Sequence, residues 1–253
     1  MSAVIAIRPQ PNKYVAPQRW MNSPVRVVVI GAGGNGSEVV DTLATFHHAM
    51  ISLGHLHGLE VTIIDDAVVR ESNLVRQRFW PQDLGQFKAI ALANRFNLLM
   101  GMDWEGIPAQ FPSAACKHAM ANADLIITCV DLNSARLAVA GYEGARHDAM
   151  WLDMGNAHRH GQAVFGGLSA RQRERFPNVL DEYPEIAEMK DSNTKSCSAA
   201  ESIATQDCLV NRSVATAAMN IVWEVLRKGE TTKHWVVLDL ESGEQATHPF
   251  PMA

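Results

Sequence analysis

Between Pro24 and Gly31 the chain runs Val-Arg-Val-Val-Val-Ile, a nearly continuous β-branched apolar stretch. Such a run predicts a strand buried on both faces, as in a parallel sheet. From Ser37 to about Met50, Val39, Val40, Leu43 and Phe46 recur at helical spacing, so a helix follows. Leu59–Ile64 predicts a second strand, ending in Asp65-Asp66, and residues 66–85 show no period. Gln86 to about Leu99 predicts a helix, Gly106–Ala109 a poor strand and Cys116–Ala121 a short helix. Asp124–Val130 predicts a third clear strand that ends at Asp131. Ala135 to about Tyr142 predicts a helix, Met150–Asp153 a fourth strand and Gln162–Phe165 an antiparallel edge. Ser198 to about Arg227 reads as one long apolar-faced helix or two joined. His234–Leu240 is the final strand before a Pro-containing tail.

Strands alternating with helices mean a parallel sheet with right-handed crossovers. The expected fold is therefore α/β: a Rossmann-like, mostly parallel sheet flanked by helices, with a C-terminal helix and antiparallel edge strands. Residues 1–24, with Pro9, Pro11, Pro17 and Pro24, read as an N-terminal arm, and 25–253 as a single domain. Residues 168–196 are polar and uneven, with Arg171, Arg173, Glu174, Arg175, Asp181, Glu182, Glu185, Glu188, Lys190 and Asp191, and are expected to form a mobile crossover loop. A chain of 253 residues, 47% apolar, is long enough for one large core.

The net charge of −5 argues against a broad phosphate-tracking face, so nucleic acid is not the expected partner. Cys116, Cys129, Cys197 and Cys208 make no CxxC pair, which argues against a zinc ribbon and a disulfide framework. No basic segment followed by an apolar core opens the chain, and no run approaches the ~18 apolar residues of a membrane span. A cytoplasmic protein without a membrane partner is expected.

Gly31-Ala-Gly-Gly-Asn-Gly36 lies between a strong strand and a helix. Glycines there allow a tight turn and close approach of backbone to phosphate, which rests on the helix N-terminus. Asp65 ends the next strand, where an acid can bond ribose hydroxyls. The connection to it is lengthened by His47–Gly58, whose His47, His48, His55 and His57 are too irregularly spaced to favour a metal site. The ordinary inference would be NAD. However, Asn73, Arg76 and Gln77 follow just beyond the acid, and Lys88 stands at a helix start after Gly85. A triphosphate under attack needs Arg and Lys to neutralise charge as pyrophosphate leaves; a dinucleotide needs less.

These residues carry a resemblance. Gly31-x-Gly-Gly-x-Gly36, Asp65, Ser72-Asn-Leu-x-Arg-Gln77, Gly85-x-x-Lys88 and Cys129-x-Asp131 together resemble the ThiF/MoeB family, which includes the ubiquitin-activating-type adenylyltransferases. Within it the chain is most similar to ThiF-type proteins of the plasmid-associated PRTRC cassette. The resemblance implies an ATP- and magnesium-dependent enzyme that adenylates the C-terminal Gly carboxylate of a small ubiquitin-like, β-grasp or sulfur-carrier protein. By motif position, Gly31, Gly33, Gly34 and Gly36 would line the phosphate turn, Asp65 would hold the ribose, and Asn73, Arg76 and Lys88 would contact phosphates. Asp131 would coordinate magnesium; read without the family, it could equally be a helix N-cap.

Several features depart from the family pattern. The two CxxC zinc pairs are missing, so no structural zinc is expected. The second acid after Asp65 is shifted, and Arg76 and Lys88 stand one residue closer than is common. Family homodimers pass an N-terminal Arg to the partner's ATP; Arg19 is the nearest candidate here. Glu201–Val222 would supply a helical dimer face by the same analogy.

Among the cysteines, Cys129 is expected in the core, Cys116 lacks an activating neighbour, and Cys208 is expected to pack within a helix. Cys197 follows the charged crossover at a helix start beside Lys195, both of which lower a thiol pKa. The family places its transthiolating or persulfide cysteine at this junction, which makes Cys197 the candidate nucleophile. Two other functions remain open: an ATP-dependent dehydratase acting on tRNA in the same superfamily, and an NAD-dependent oxidoreductase.

Overall fold

The computed structural model describes residues 10–191 and 206–252. A short strand β1 (Tyr14–Val15) and helix α1 (Arg19–Asn22) precede the first sheet strand, β2 (Val25–Ile30). Then come α2 (Gly34–Ser52), β3 (Leu59–Ile64), α3 (Lys88–Met100), β4 (Glu105–Ile107), α4 (Lys117–Asn122), β5 (Leu125–Thr128), α5 (Asn133–Ala140) and β6 (Met150–Asn156). The chain turns back through β7 (His160–Gly167), crosses by α6 (Ala170–Arg173) and α7 (Val179–Glu182), and resumes at α8 (Val210–Lys228). Strands β8 (Glu230–Thr231), β9 (Lys233–Asp239) and β10 (Glu244–Pro249) finish it.

Eight strands form one sheet in the order β10-β9-β7-β6-β5-β2-β3-β4, with a separate β1-β8 ribbon. Strands β4 to β6 of that order run parallel, and β7, β9 and β10 add an antiparallel half. The strand expected at Gln162–Phe165 is therefore longer and not an edge, because β9 pairs with its outer side. The tail expected after residue 240 supplies the actual edge strand, β10.

Alternate residues of β2 serve two cores: Val25, Val27 and Val29 meet α2, α3 and α8, while Val28 and Ile30 meet α4 and the crossover. That double burial explains the unbroken apolar run. The arm residues Tyr14 and Trp20 are 3% exposed and belong to the first core. Residues 168–191 fold as short helical turns on the second core, with Leu168 and Val179 buried there. The helix expected from Ser198 is described only from Val210, and its apolar face packs against α2, β6 and β7. Within this range the apolar face of α8 is buried inside the chain.

Candidate functional site

In the sheet, β2 is the branch point: chain order runs outward through β3 and β4 on one side and through β5 and β6 on the other. Ligands of open α/β sheets bind at the carboxyl ends of strands where the order reverses. The glycine turn after β2 and Asp131 after β5 both lie there. Gly31 has φ +90°, and a Cβ on it would fall 2.7 Å from the Cys129 carbonyl oxygen, so only glycine lets the turn lie against β5. A Cβ on Gly36 would fall 1.9 Å from the Gly31 carbonyl oxygen. Gly33 differs: nothing lies within 4 Å of the place its Cβ would take, which leaves open space over the N-terminus of α2.

Asp65 fastens this turn as well as bordering it. Its Oδ2 accepts from the Ala32 amide at 2.6 Å and its Oδ1 from the Ala67 amide at 2.8 Å. Asn73 closes a 3₁₀ turn (Glu71–Asn73), its Oδ1 accepting from the Arg70 amide at 2.9 Å. Lys88 opens α3 with its amide on the Ala67 carbonyl at 2.9 Å, and its side chain folds inward. The residue is 8% exposed, and no hydrogen-bond acceptor for its ammonium is present among the described residues. Burial pulls the Lys88 pKa below the ordinary lysine value; Asp65 opposes this, and Arg76 and Arg70 add to it. The structure thus brings Lys88, Asp65, Asp66, Arg70 and Arg76 into one electrostatic neighbourhood.

Arg76 is held by residues far along the chain. Its Nη1 donates to Asn211 Oδ1 of α8 at 3.0 Å and also to Gln206 Oε1. Asn211 in turn bonds Asn35 and Asn156, next to the glycine turn. None of Asn35, Asn156, Gln206 or Asn211 was legible as a site residue, because only Asn35 lies within a motif.

Asp131 is exposed at the end of β5. It is not the cap of the next helix: α5 begins at Asn133, and Asp191 of the crossover caps it, Oδ1 accepting from the Asn133 amide at 2.6 Å and the Ser134 amide at 3.2 Å. Behind this loop Arg136 grips the buried Asp153 with Nε 2.9 Å and 3.0 Å from the two carboxylate oxygens. Thr128 donates to the same carboxylate, and Trp151 Nε1 donates to Thr128 at 2.9 Å. Burial pushes the Asp153 carboxyl up, while Arg136 and Thr128 hold it down.

Two cysteine expectations are answered here. Burial pushes the Cys129 thiol far up, with Asp153 and Asp131 adding to the rise, so it is not a thiolate. Cys208 is exposed in the turn before α8 and does not pack in a helix. Cys197 lies outside the described residues.

Arg19 is at the opposite end of the sheet. It bonds Asp124, with Nε at 2.9 Å, and also pairs with Asp148. Both acids precede the parallel strands, so Arg19 is a tie for the N-terminal segment and does not face this chain's glycine turn. His47 and His55 bond backbone groups of residues 58–59 and of Trp20, which accounts for them without a metal.

Beside the site, a groove of about 600 Å³ runs over the antiparallel half. It is lined by Gly155, Asn156, Gly161, Gln162, Val237 and Asp239, among others. Asn156 joins it to the turn.

A mostly parallel sheet with a glycine turn, a largely buried lysine and an acid at its reversal defines a Rossmann-like α/β protein. The sequence matches the ThiF family over residues 15–250, and the chain belongs to that family. At the level of the superfamily this supports an adenylyltransferase-type enzyme. Among curated proteins none matches the chain by sequence. Among solved structures, the fold is similar to PaaA, with TM-score 0.62 and 15% identity over 93% of this chain and 67% of that one. It is also similar to E. coli MccB with ATP, at TM-score 0.61 and 17% identity over 93% of this chain and 66% of that one. E. coli MccB with AMPCPP and MccA gives TM-score 0.61 and 16% identity over the same shares, 93% and 66%. The chain spans about two thirds of the length of these proteins. Among the described residues, no helix is long and apolar enough to cross a membrane.

Proposed function

We propose that this protein uses magnesium-ATP to adenylate the C-terminal carboxylate of a small partner, a ubiquitin-like β-grasp or sulfur-carrier protein ending in Gly. The observation that supports the reading is Lys88, a largely buried residue whose ammonium has no protein acceptor among the described residues, set beside Arg76 and Asp65 near the open N-terminus of α2. A desolvated cation without a protein acceptor is well placed to receive an anion, and a triphosphate supplies such acceptors.

In this reading ATP supplies the adenylyl group and magnesium carries part of the phosphate charge. Gly31, Gly33, Gly34 and Gly36 admit the phosphates to the helix N-terminus. Asp65 retains lone pairs for ribose hydroxyls beyond its two amide bonds. Asn73, Arg76 and Lys88 hold phosphate oxygens. Asp131 is the magnesium ligand, and a single carboxylate suits this ion, which takes one or two carboxylates plus phosphate oxygens. The groove leading to Asn156 receives the partner's tail and brings its carboxylate to the α-phosphate, so that positioning does much of the catalysis. Cys197 then attacks the acyl-adenylate carbonyl, forming a thioester as AMP leaves, or takes the outer sulfur of a donor protein's persulfide, which departs as a thiolate. The protein works as a homodimer whose face lies elsewhere than the buried side of α8.

Two measurements test this. Calorimetry should show magnesium-ATP binding, and tighter binding of NAD would overturn the reading. ATP–pyrophosphate exchange should appear with a small β-grasp protein ending in Gly; exchange stimulated by tRNA and by no such protein would favour an RNA-directed member of the superfamily.

A further inference from the structure

We propose that Asn211 is a positioning residue of the nucleotide site, holding the Arg76 guanidinium in place and tying it to the first turn of α2 through Asn35 and to the groove through Asn156. The inference rests on the nucleotide reading above.

Asn211 is 3% exposed in the first turn of α8. A carboxamide in that position is costly unless its oxygen and nitrogen are both satisfied. Both are. Arg76 can only donate, so the Asn211 oxygen must face it, at 3.0 Å. The Asn211 nitrogen is thereby turned toward two acceptors, Asn35 Oδ1 at 2.9 Å and Asn156 Oδ1 at 3.2 Å. Asn35 Nδ2 closes the ring onto Asn156 Oδ1 at 2.8 Å.

The glycine turn is shaped around this group. A Cβ on Gly34 would fall 2.4 Å from the Asn211 carboxamide carbon, so Gly34 makes room for Asn211, whereas Gly33 faces open space. The choice of amide over acid also has a reason. Aspartate would add a countercharge to Arg76, whereas a carboxamide fixes the guanidinium without adding one of its own.

The test is binding of magnesium-ATP and of adenosine to the full chain, wild type against Asn211→Ala, Arg76→Ala and the double variant, with a melting curve for each. Asn211→Ala should weaken magnesium-ATP roughly tenfold, the scale of one hydrogen bond to a charged group, and leave adenosine unchanged. In the Arg76→Ala background the same change should cost magnesium-ATP nothing further, because Asn211 acts through Arg76. Unchanged ATP affinity, an equal loss for adenosine, or losses that multiply in the double variant would each overturn the proposal. If Asn211→Ala does not fold, Asn35→Ala reads the same network: an ATP-selective loss supports it, and no loss or an unselective one overturns it. A wild-type protein that binds no magnesium-ATP would overturn the nucleotide reading and this inference with it.

Discussion

Replacing Lys88 by methionine should make the protein more stable and worse at binding ATP. The side chain keeps its length and apolar body but loses the charge. In the folded chain the residue is largely buried with no hydrogen-bond acceptor for its ammonium among the described residues, and the nearby Arg76 and Arg70 repel it. Asp65 compensates only in part, since the effect of burial outweighs its attraction. Relieving a strained functional site of this kind commonly returns ~0.5–2 kcal/mol. For a chain of this length that corresponds to a rise of about 1–8 °C in Tm, at roughly 2–4 °C per kcal/mol. Loss of one charged hydrogen bond to phosphate should weaken magnesium-ATP by ~1.5–3 kcal/mol, or roughly 10- to 150-fold. The gain in stability should also depend on pH. Because burial lowers the folded-state pKa of Lys88, the folded protein gives up this proton before the unfolded chain does. Wild-type stability therefore climbs, and its gap to the variant closes, as pH rises from the lowered Lys88 value toward the unfolded value of about 10.4. Scanning calorimetry and urea unfolding across alkaline pH, with ATP titrations beside them, measure all three effects. A variant that melts lower than wild type, or binds magnesium-ATP equally well, would refute the reasoning.

Gly36→Ala should cost about 1–3 kcal/mol of stability, since its Cβ would stand 1.9 Å from a backbone oxygen that cannot rotate away; urea unfolding within 0.5 kcal/mol of wild type, roughly the scatter of surface changes, would show that the turn yields. Asp153→Asn keeps the shape but leaves Arg136 a buried unpaired cation, and should cost ~3–5 kcal/mol by thermal unfolding. Asp148 is held below the ordinary aspartate range, because its bonds to Arg19 and the charges of Arg19, His147 and Arg146 outweigh a burial effect that would raise it. Its contribution is therefore present above the unfolded value of about 3.9 and fades as pH falls below it, so Asp148→Asn should flatten the acid limb of stability, and an unchanged limb would remove Asp148 from the account. Cys197→Ala should keep ATP–pyrophosphate exchange with the carrier and lose any reducible adduct, while the exposed Cys208, changed to Ala, should lose neither; an adduct that survives the first change and vanishes with the second would transfer the role to Cys208.

The parallel strands were readable in the chain because burial on both faces demands an unbroken apolar run, which Val25–Ile30 and Leu125–Thr128 supply locally. The glycine turn was readable for a similar reason: positive φ at Gly31 and the close approaches at Gly34 and Gly36 forbid other residues, so the geometry is written into the residue type. What a residue touches across the fold carries no such local mark. Asn211 and Arg76 meet over 135 positions of chain, and Asn35 and Asn156 join them only because α8 packs its N-terminal turn on α2. Asp191, not Asp131, caps α5, since a cap needs only an oxygen at the helix end and any segment that passes can provide it. The place of Arg19 near the N-terminus does not reveal its partners; the acids it meets, Asp124 and Asp148, are fixed by where β5 and β6 begin. Gln162–Phe165 reads as an edge because its alternation is weak; β9 arrives from some 70 residues later to cover it. Sequence sets which backbone conformations and burial patterns are allowed, because those are properties of each residue and its neighbours. Partner identity among polar groups depends on how whole elements pack, and only the tertiary structure decides it.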